Sequence, residues 1–309
     1  MPLASTILMI RPAAFGFNAE TAANNYFQTN TGATNDELQK KALTEFDNMV
    51  TVLRANDINV LVIEDTATPP KPDAIFPNNW LSTTPDGKVL IYPMFSPARR
   101  QEKRDDIVKW LAEHFIVKDV QDWSEYEAEE RYLEGTGSMI IDHGKELIYA
   151  CLSERTNPVV LEKFASANKY QAIVFLATDK DGNHIYHTNV MMALGEKVCI
   201  LCEEAIEEEW ELIAVRQLLD STGHTIVAIT REQMHRFAGN MLEVKNTKGE
   251  HLLVLSQTAY NSLRPDQEEK IESFTKLLPI AIPTIEETGG GSVRCMMAEI
   301  FLERKATQA

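Results

Sequence analysis

A chain of 309 residues with 44% hydrophobic and 25% charged residues has the composition of an ordinary globular protein with an ample core. Its formal net charge of −16 argues against a nucleic-acid or anionic-membrane surface, and no apolar run reaches membrane-spanning length. The four cysteines, Cys151, Cys199, Cys202 and Cys295, occur without a basic leader at the N-terminus, which predicts free thiols and a cytoplasmic location.

In chain order, "STILMIRPA" predicts a first strand. The polar stretch "TNTGATN" (29–35) reads as either a mobile lid or a rigid loop. Leu38, Ala42, Phe46, Met49 and Leu53 recur at helical spacing and predict a helix over 35–55, followed by the strand "INVLVIED". "TATPPKPDA" (66–74) reads as an ordered loop leading into a site.

One pattern then repeats four times. Gly87, Gly144, Gly195 and Gly249 each mark a tight turn between two runs of strand character. These pairs are "NWLST" with "VLIYPM", "SMIID" with "LIYACL", "HTNVMMA" with "VCILC", and "MLEV" with "HLLVLS". A helix is predicted after each, over 99–114, 157–168, 206–221 and 265–277, and then a short strand: "FIVKDV", "QAIVFLA", "HTIVAI" and "LPIAIP". The unit is strand, turn, strand, helix, strand, and such a period indicates repeated supersecondary units.

A fifth unit can be assembled only from the two ends, with "GGSVRCMMAEIFL" supplying one strand and "STILMIRPA" its partner. Closing a ring in this way removes exposed sheet edges. The prediction is one α/β domain over residues 1–309, a ring of five units closed by the N- and C-terminal strands, with "RKATQA" as a mobile tail. Cys199 and Cys202 have CxxC spacing, but neighbouring side chains on a strand face opposite ways and no second pair completes a zinc site. They read as core.

Where each unit's first strand begins stand Asn79, Glu134, His187, Asn240 and Cys295, spaced by 55, 53, 53 and 55 residues. Taken singly, His187 reads as a core histidine, Glu134 as a turn residue, Asn240 as a backbone cap and Cys295 as a small buried hydrophobe. In a pseudo-symmetric ring, equivalent positions converge on one axis, so the register itself ties Cys, His and Glu together. For Asn240 the capping reading is kept. A Cys–His–carboxylate set supports nucleophilic catalysis, with the thiolate as nucleophile and the imidazole protonating a leaving group. Gly289, Gly290 and Gly291 would let a substrate lie against backbone whose N–H groups hold developing charge. The same three residue types could instead ligate zinc.

The motifs "DAIFPNNW", "LEGTGSM", "LSERTN", "YHTNV", "FAGNML" and "ETGGGSVRCM" together resemble the guanidino-group modifying, or amidinotransferase, superfamily over roughly residues 5–303. The resemblance implies a five-bladed, pseudo-symmetric α/β propeller (the pentein fold) with its site at the centre. It implies Cys295 as nucleophile, His187 as general acid/base and Glu134 as the carboxylate contacting a substrate nitrogen. It places Asp73, Asn78 and Asn79 where the family grips the guanidino head, and Arg155 where it holds the substrate α-carboxylate. Arg99 or Arg100 assists, or else begins the next helix as a surface charge.

In hydrolases of cationic guanidines the positions of Asn78 and Asn79 resemble Glu and Asp, and that of Asn189 is often Asp. Here all three are amides. Such replacements would cost a guanidinium about 2–4 kcal/mol of binding. An amide both donates and accepts, which suits a ureido group. The chain therefore resembles the citrulline-utilisation branch, and the expected reaction is cleavage of a ureido C–N bond without a cofactor or metal. A neutral substrate cannot lower the thiol pKa by its charge, so Cys295 and His187 are expected to form the thiolate as a pair. Alternatives are an arginine deiminase or dimethylarginine dimethylaminohydrolase, an amidino transferase, a zinc hydrolase and a non-enzymatic propeller. The expected partner is a small arginine- or citrulline-type molecule, with homo-oligomerisation left open.

Overall fold

The computed structural model describes residues 2–306. Strand β1 (Thr6–Arg11) leads to the helix Asn35–Ala55 and then to β2 (Asn59–Glu64), which pairs parallel to β1 with Thr6 opposite Asn59. Thr34 and Glu37 form a capping box at the helix start, and Leu38, Ala42, Phe46, Met49, Val50 and Leu53 form its buried stripe.

The next four sheets share one plan. They are β3 (Leu81–Thr83), β4 (Lys88–Ile91) and β5 (Asp119–Asp122); β6 (Ile140–Asp142), β7 (Leu147–Cys151) and β8 (Gln171–Phe175); β9 (Met192–Leu194), β10 (Val198–Leu201) and β11 (Thr225–Ala228); and β12 (Leu242–Lys245), β13 (His251–Ser256) and β14 (Lys276–Ile280). In each, the first two strands form an antiparallel hairpin and the third returns parallel to the second after a helix. β15 (Ala298–Ile300) pairs antiparallel to β1, Thr6 opposite Ile300, so the first sheet is built from both ends of the chain.

Buried clusters join consecutive sheets. Leu8, Ile10 and Ile300 meet Trp80 and Val89, and Leu90 and Tyr92 meet Met139 and Ile148. One cluster carries Tyr149, Ile200 and Leu253 from three sheets, and another returns from Val254 to Ile7 and Met9. The packing thus runs from sheet to sheet and back to the first. All four cysteines are free and buried, and Cys199 and Cys202 belong to this core.

Several predicted boundaries shift. The helix expected over 99–114 is two pieces, Pro97–Arg100 and Asp105–His114, because Arg104 is extended and Glu102 turns back to pair with Arg99. The helix expected over 206–221 starts at Glu209, and that over 265–277 ends at Glu272, where Lys276 already belongs to β14. The tail is tied at its start: the Lys305 amide donates to the His114 carbonyl, and residues 307–309 lie outside the described part. No helix among the described residues is long and apolar enough to cross a membrane.

Candidate active site

Each hairpin is entered through a short turn, and this is where the polar positions of the repeat sit. A 3-10 turn over Pro77–Asn79 precedes β3, and single helical turns over Gly135–Ser138 and Thr188–Met191 precede β6 and β9. The residues expected to start strands therefore stand on tight turns instead. Asp73, Asn79, Arg99, Arg155, His187 and Cys295 line one small cavity, roofed by Thr21 and Asn25.

His187 Nε2 lies 2.8 Å from Glu134 Oε2, and both side chains are buried. Burial opposes the charge of Glu134, but Arg155, the His187 hydrogen bond and Arg99 outweigh it and hold the carboxyl at about 2. Burial holds the His187 imidazole down at about 4, against the raising effect of Glu134. Near neutral pH the ring is thus neutral. An ionised carboxylate only accepts, so Nε2 carries the proton and Nδ1 is left as a free base. Gly137 is required here for space: a Cβ would meet His187 Nδ1 at 2.8 Å and clash with Asn79 Nδ2.

The sulfur of Cys295 is not hydrogen-bonded to His187. It accepts from two amides, Asn240 Nδ2 at 3.3 Å and Asn189 Nδ2 at 3.4 Å. The direct contact expected between Cys295 and His187 is not among the hydrogen bonds of either side chain: the imidazole is turned to Glu134 and the sulfur to the two amides. Asn240 does more than cap backbone: its Oδ1 accepts from the Arg294 amide, while Nδ2 reaches both the Asn189 carbonyl and the sulfur.

Arg99 and Arg100 diverge. Arg100 turns back to the Met94 and Phe95 carbonyls, whereas Arg99 is buried, paired with Glu102, and donates from Nη1 to Asn79 Oδ1 at 2.8 Å. A guanidinium has no acceptor, so this bond forces the Asn79 oxygen towards Arg99 and leaves Nδ2 as a buried donor without a partner. Asp73 Oδ2 accepts from Asn18 and Thr21, while Oδ1 has no partner. Burial raises the Asp73 carboxyl, partly offset by Arg99. Asn78 does not line the cavity: its amide donates to Thr136 Oγ1.

Arg155 lies under the Tyr186 ring, 4.9 Å from its centroid, and 3.5 Å from Glu134. It donates to Asn24 Oδ1 and to the Thr21 carbonyl. These partners belong to a roof over residues 18–29, where Asn25 and Gln28 donate to carbonyls of the 288–290 segment and the Thr29 amide donates to the Glu287 carbonyl. The roof runs into the first residue of "TNTGATN", the rest of which is mostly at the surface.

The three glycines serve packing. A Cβ at Gly289 or Gly291 would meet the Phe76 ring at 2.8 or 3.0 Å, and Gly290 ends the preceding helix with a left-handed φ of +63°. The N–H groups of Gly290 and Cys295 are already bonded, to the Glu286 and Ser292 carbonyls. Of the three glycines expected to offer N–H groups, Gly290 is thereby committed, while Gly291 lines the cavity.

A model of the family described as "N,N dimethylarginine dimethylhydrolase, eukaryotic" matches residues 11–302. The chain belongs to this family. No curated protein matches it in sequence. Among solved structures, apo ArgZ, an arginine dihydrolase from the ornithine–ammonia cycle in cyanobacteria, superposes with a TM-score of 0.74 at 15% identity, covering 98% of this chain and 41% of that one. The chain thus spans about two fifths of the length of that protein. A variant of the N-terminal domain of ArgZ, covalently bonded to a reaction intermediate, gives 0.70 at 14% identity over 95% of this chain and 97% of that one. A variant of dimethylarginine dimethylaminohydrolase, as its adduct with S-methyl-L-thiocitrulline, gives 0.63 at 13% identity over 96% and 100%. At such identities the likeness is one of fold, that of the pentein enzymes.

The dimethylarginine dimethylhydrolase family is one of hydrolases acting on C–N bonds other than peptide bonds. Within this member, sequence reasoning missed the contact of Asn240 with sulfur, although its register position pointed to it. It also missed the roof residues Asn18, Thr21 and Asn24, whose only signal was a polar run between a strand and a helix.

Proposed function

We propose that the protein hydrolyses the ureido group of citrulline or a close relative through Cys295. One observation carries this reading: the cavity offers Asp73 Oδ1 as an unpaired acceptor and Asn79 Nδ2 as an unpaired donor. A ureido group has N–H groups for the first and a carbonyl oxygen for the second. A guanidinium has donors alone, and a buried N–H left unpaired against it costs about 1–3 kcal/mol.

In this reading the Cys295 sulfur attacks the ureido carbon and the developing oxyanion accepts from Asn79. His187 Nδ1 takes the thiol proton and passes it to the departing nitrogen as the C–N bond breaks. Water then hydrolyses the S-carbamoyl group, so citrulline and one water yield ornithine, ammonia and carbon dioxide. Glu134 holds the imidazole, Arg99 holds Asn79, and Arg155 binds the α-carboxylate once Asn24 gives way. Asn78 acts behind the cavity wall and Asn189 at the sulfur. The five sheets are the blades of a pseudo-symmetric propeller forming one domain. The covalent intermediate and thiocitrulline adduct of the structural neighbours support covalent catalysis on this fold.

The test is a product assay with citrulline, arginine and dimethylarginine. Ornithine and ammonia from citrulline, lost in Cys295→Ala, are expected. A higher kcat/KM for arginine or dimethylarginine than for citrulline would overturn the ureido assignment.

A further inference from the structure

We infer that Asn240 and Asn189 are catalytic residues: their amide N–H groups clamp the Cys295 sulfur and hold it as the reacting anion. The inference rests on Cys295 being the nucleophile, not on which substrate it attacks.

Both donors are buried and reach the sulfur at 3.3 and 3.4 Å. Asn240 cannot flip its amide, because the Arg294 N–H needs Oδ1 and the second Nδ2 hydrogen is given to the Asn189 carbonyl. Its remaining hydrogen is thereby aimed at the sulfur. Asn189 follows from the same contact: its backbone carbonyl anchors Asn240, and its own Nδ2 donates to the sulfur from the other amide. The clamp joins three turns, those before β9, β12 and β15, at one atom.

The cavity's cations are committed elsewhere. Arg99 is held by Glu102 and Asn79, and Arg155 by Asn24, the Thr21 carbonyl and Glu134. His187 is turned to Glu134. Burial of a thiol disfavours its anion, so the anion needs hydrogen-bond donors or a cation beside it. Bonds to an anion are about twice as strong as bonds to a neutral acceptor, so two N–H donors favour thiolate over thiol. Such a clamp holds the charge that develops on sulfur as the thiol proton passes to His187, and needs no charge on the substrate, which a neutral ureido group requires.

The test uses no substrate. Alkylation of Cys295 by iodoacetamide in the free protein is followed by mass spectrometry against pH for wild type, Asn240→Ala, Asn189→Ala and His187→Gln. Each asparagine variant is expected to move the midpoint of the profile to higher pH, lowering the rate near neutrality about tenfold while keeping the plateau. A purely structural role would lower the plateau without moving the midpoint, and that result overturns the inference. So does a midpoint moved by His187→Gln but by neither asparagine. Should Asn240→Ala not fold, Asn189→Ala still decides, since its side chain has no other hydrogen bond. Loss of the ureido reading would appear only in the product assay, whereas loss of the clamp appears only in alkylation.

Discussion

Which way one amide faces sets the chemistry of this cavity. Asn79 is pinned by Arg99 with its N–H groups free, so the site presents a donor where an aspartate would present an acceptor and a charge. Asn79→Asp is expected to keep the Arg99 bond with one oxygen and offer the other to a guanidinium. The ratio of kcat/KM for arginine over citrulline should then rise about ten- to a hundredfold, the range expected for a charged hydrogen bond of 1.5–3 kcal/mol. A ratio that stays put would show that Asn79 does not discriminate. The residue type was legible in the sequence, but the facing of the amide was not. It depends on a guanidinium twenty residues away, folded back by its pair with Glu102. The same holds for Asn240, read as a cap until Arg294 showed which of its atoms is spoken for.

Among the elements, the loop before Asp73 shows how a Pro-rich stretch becomes a rigid wall. Lys71 is buried with Asp65 at 3.2 Å and donates to the Thr66 hydroxyl and to the Thr66 and Pro69 carbonyls. Breaking a buried pair costs about 3–5 kcal/mol, here lessened by Arg104, which also lies 3.9 Å from Asp65. Lys71→Met is therefore expected to lower the urea midpoint strongly and, by loosening Asp73, to lower kcat/KM. The double variant Lys71→Met with Asp65→Leu should regain most of the stability but not the activity. Equal losses of stability in the single and double variants would refute the pair as the strut. The sequence showed an ordered loop here, yet not its fastening, because a lysine in a polar stretch has no local signature of burial. The hairpins and the long helix were legible, since turn glycines and apolar spacing are local signals. The short turns that carry the site residues were not, because a single helical turn stabilised by tertiary contacts has too few residues for a period.

At the scale of the whole molecule, burial sets the response to acid. His143 is held at about 4 by burial, partly opposed by Asp142 and Asp86, and His187 likewise lies at about 4. The unfolded chain takes up these protons near the ordinary histidine value of about 6.5, before the folded chain does. Each imidazole therefore costs stability as pH falls from about 6.5 to about 4, and the cost is constant below that. Buried carboxyls such as Asp73 and Glu286 are shifted upwards and act in the opposite sense. A single variant separates the effects. His143→Gln, which can keep a bond to the Tyr170 hydroxyl, should gain relative to wild type as pH falls through this window, read from urea midpoints at pH 7, 5.5 and 4. A constant difference across the three would mean that the folded state does not keep His143 neutral.

The sequence by itself determined the unit, its fivefold recurrence and the borrowing of one strand from each terminus. These follow from local spacing and turn chemistry, which a chain carries along its length. Only the tertiary structure decided that His187 is buried against Glu134, that amides rather than the imidazole touch the sulfur, and that a polar segment near the N-terminus roofs the cavity. Those depend on burial and on partners from other sheets, and a linear pattern holds no record of which groups lose water together.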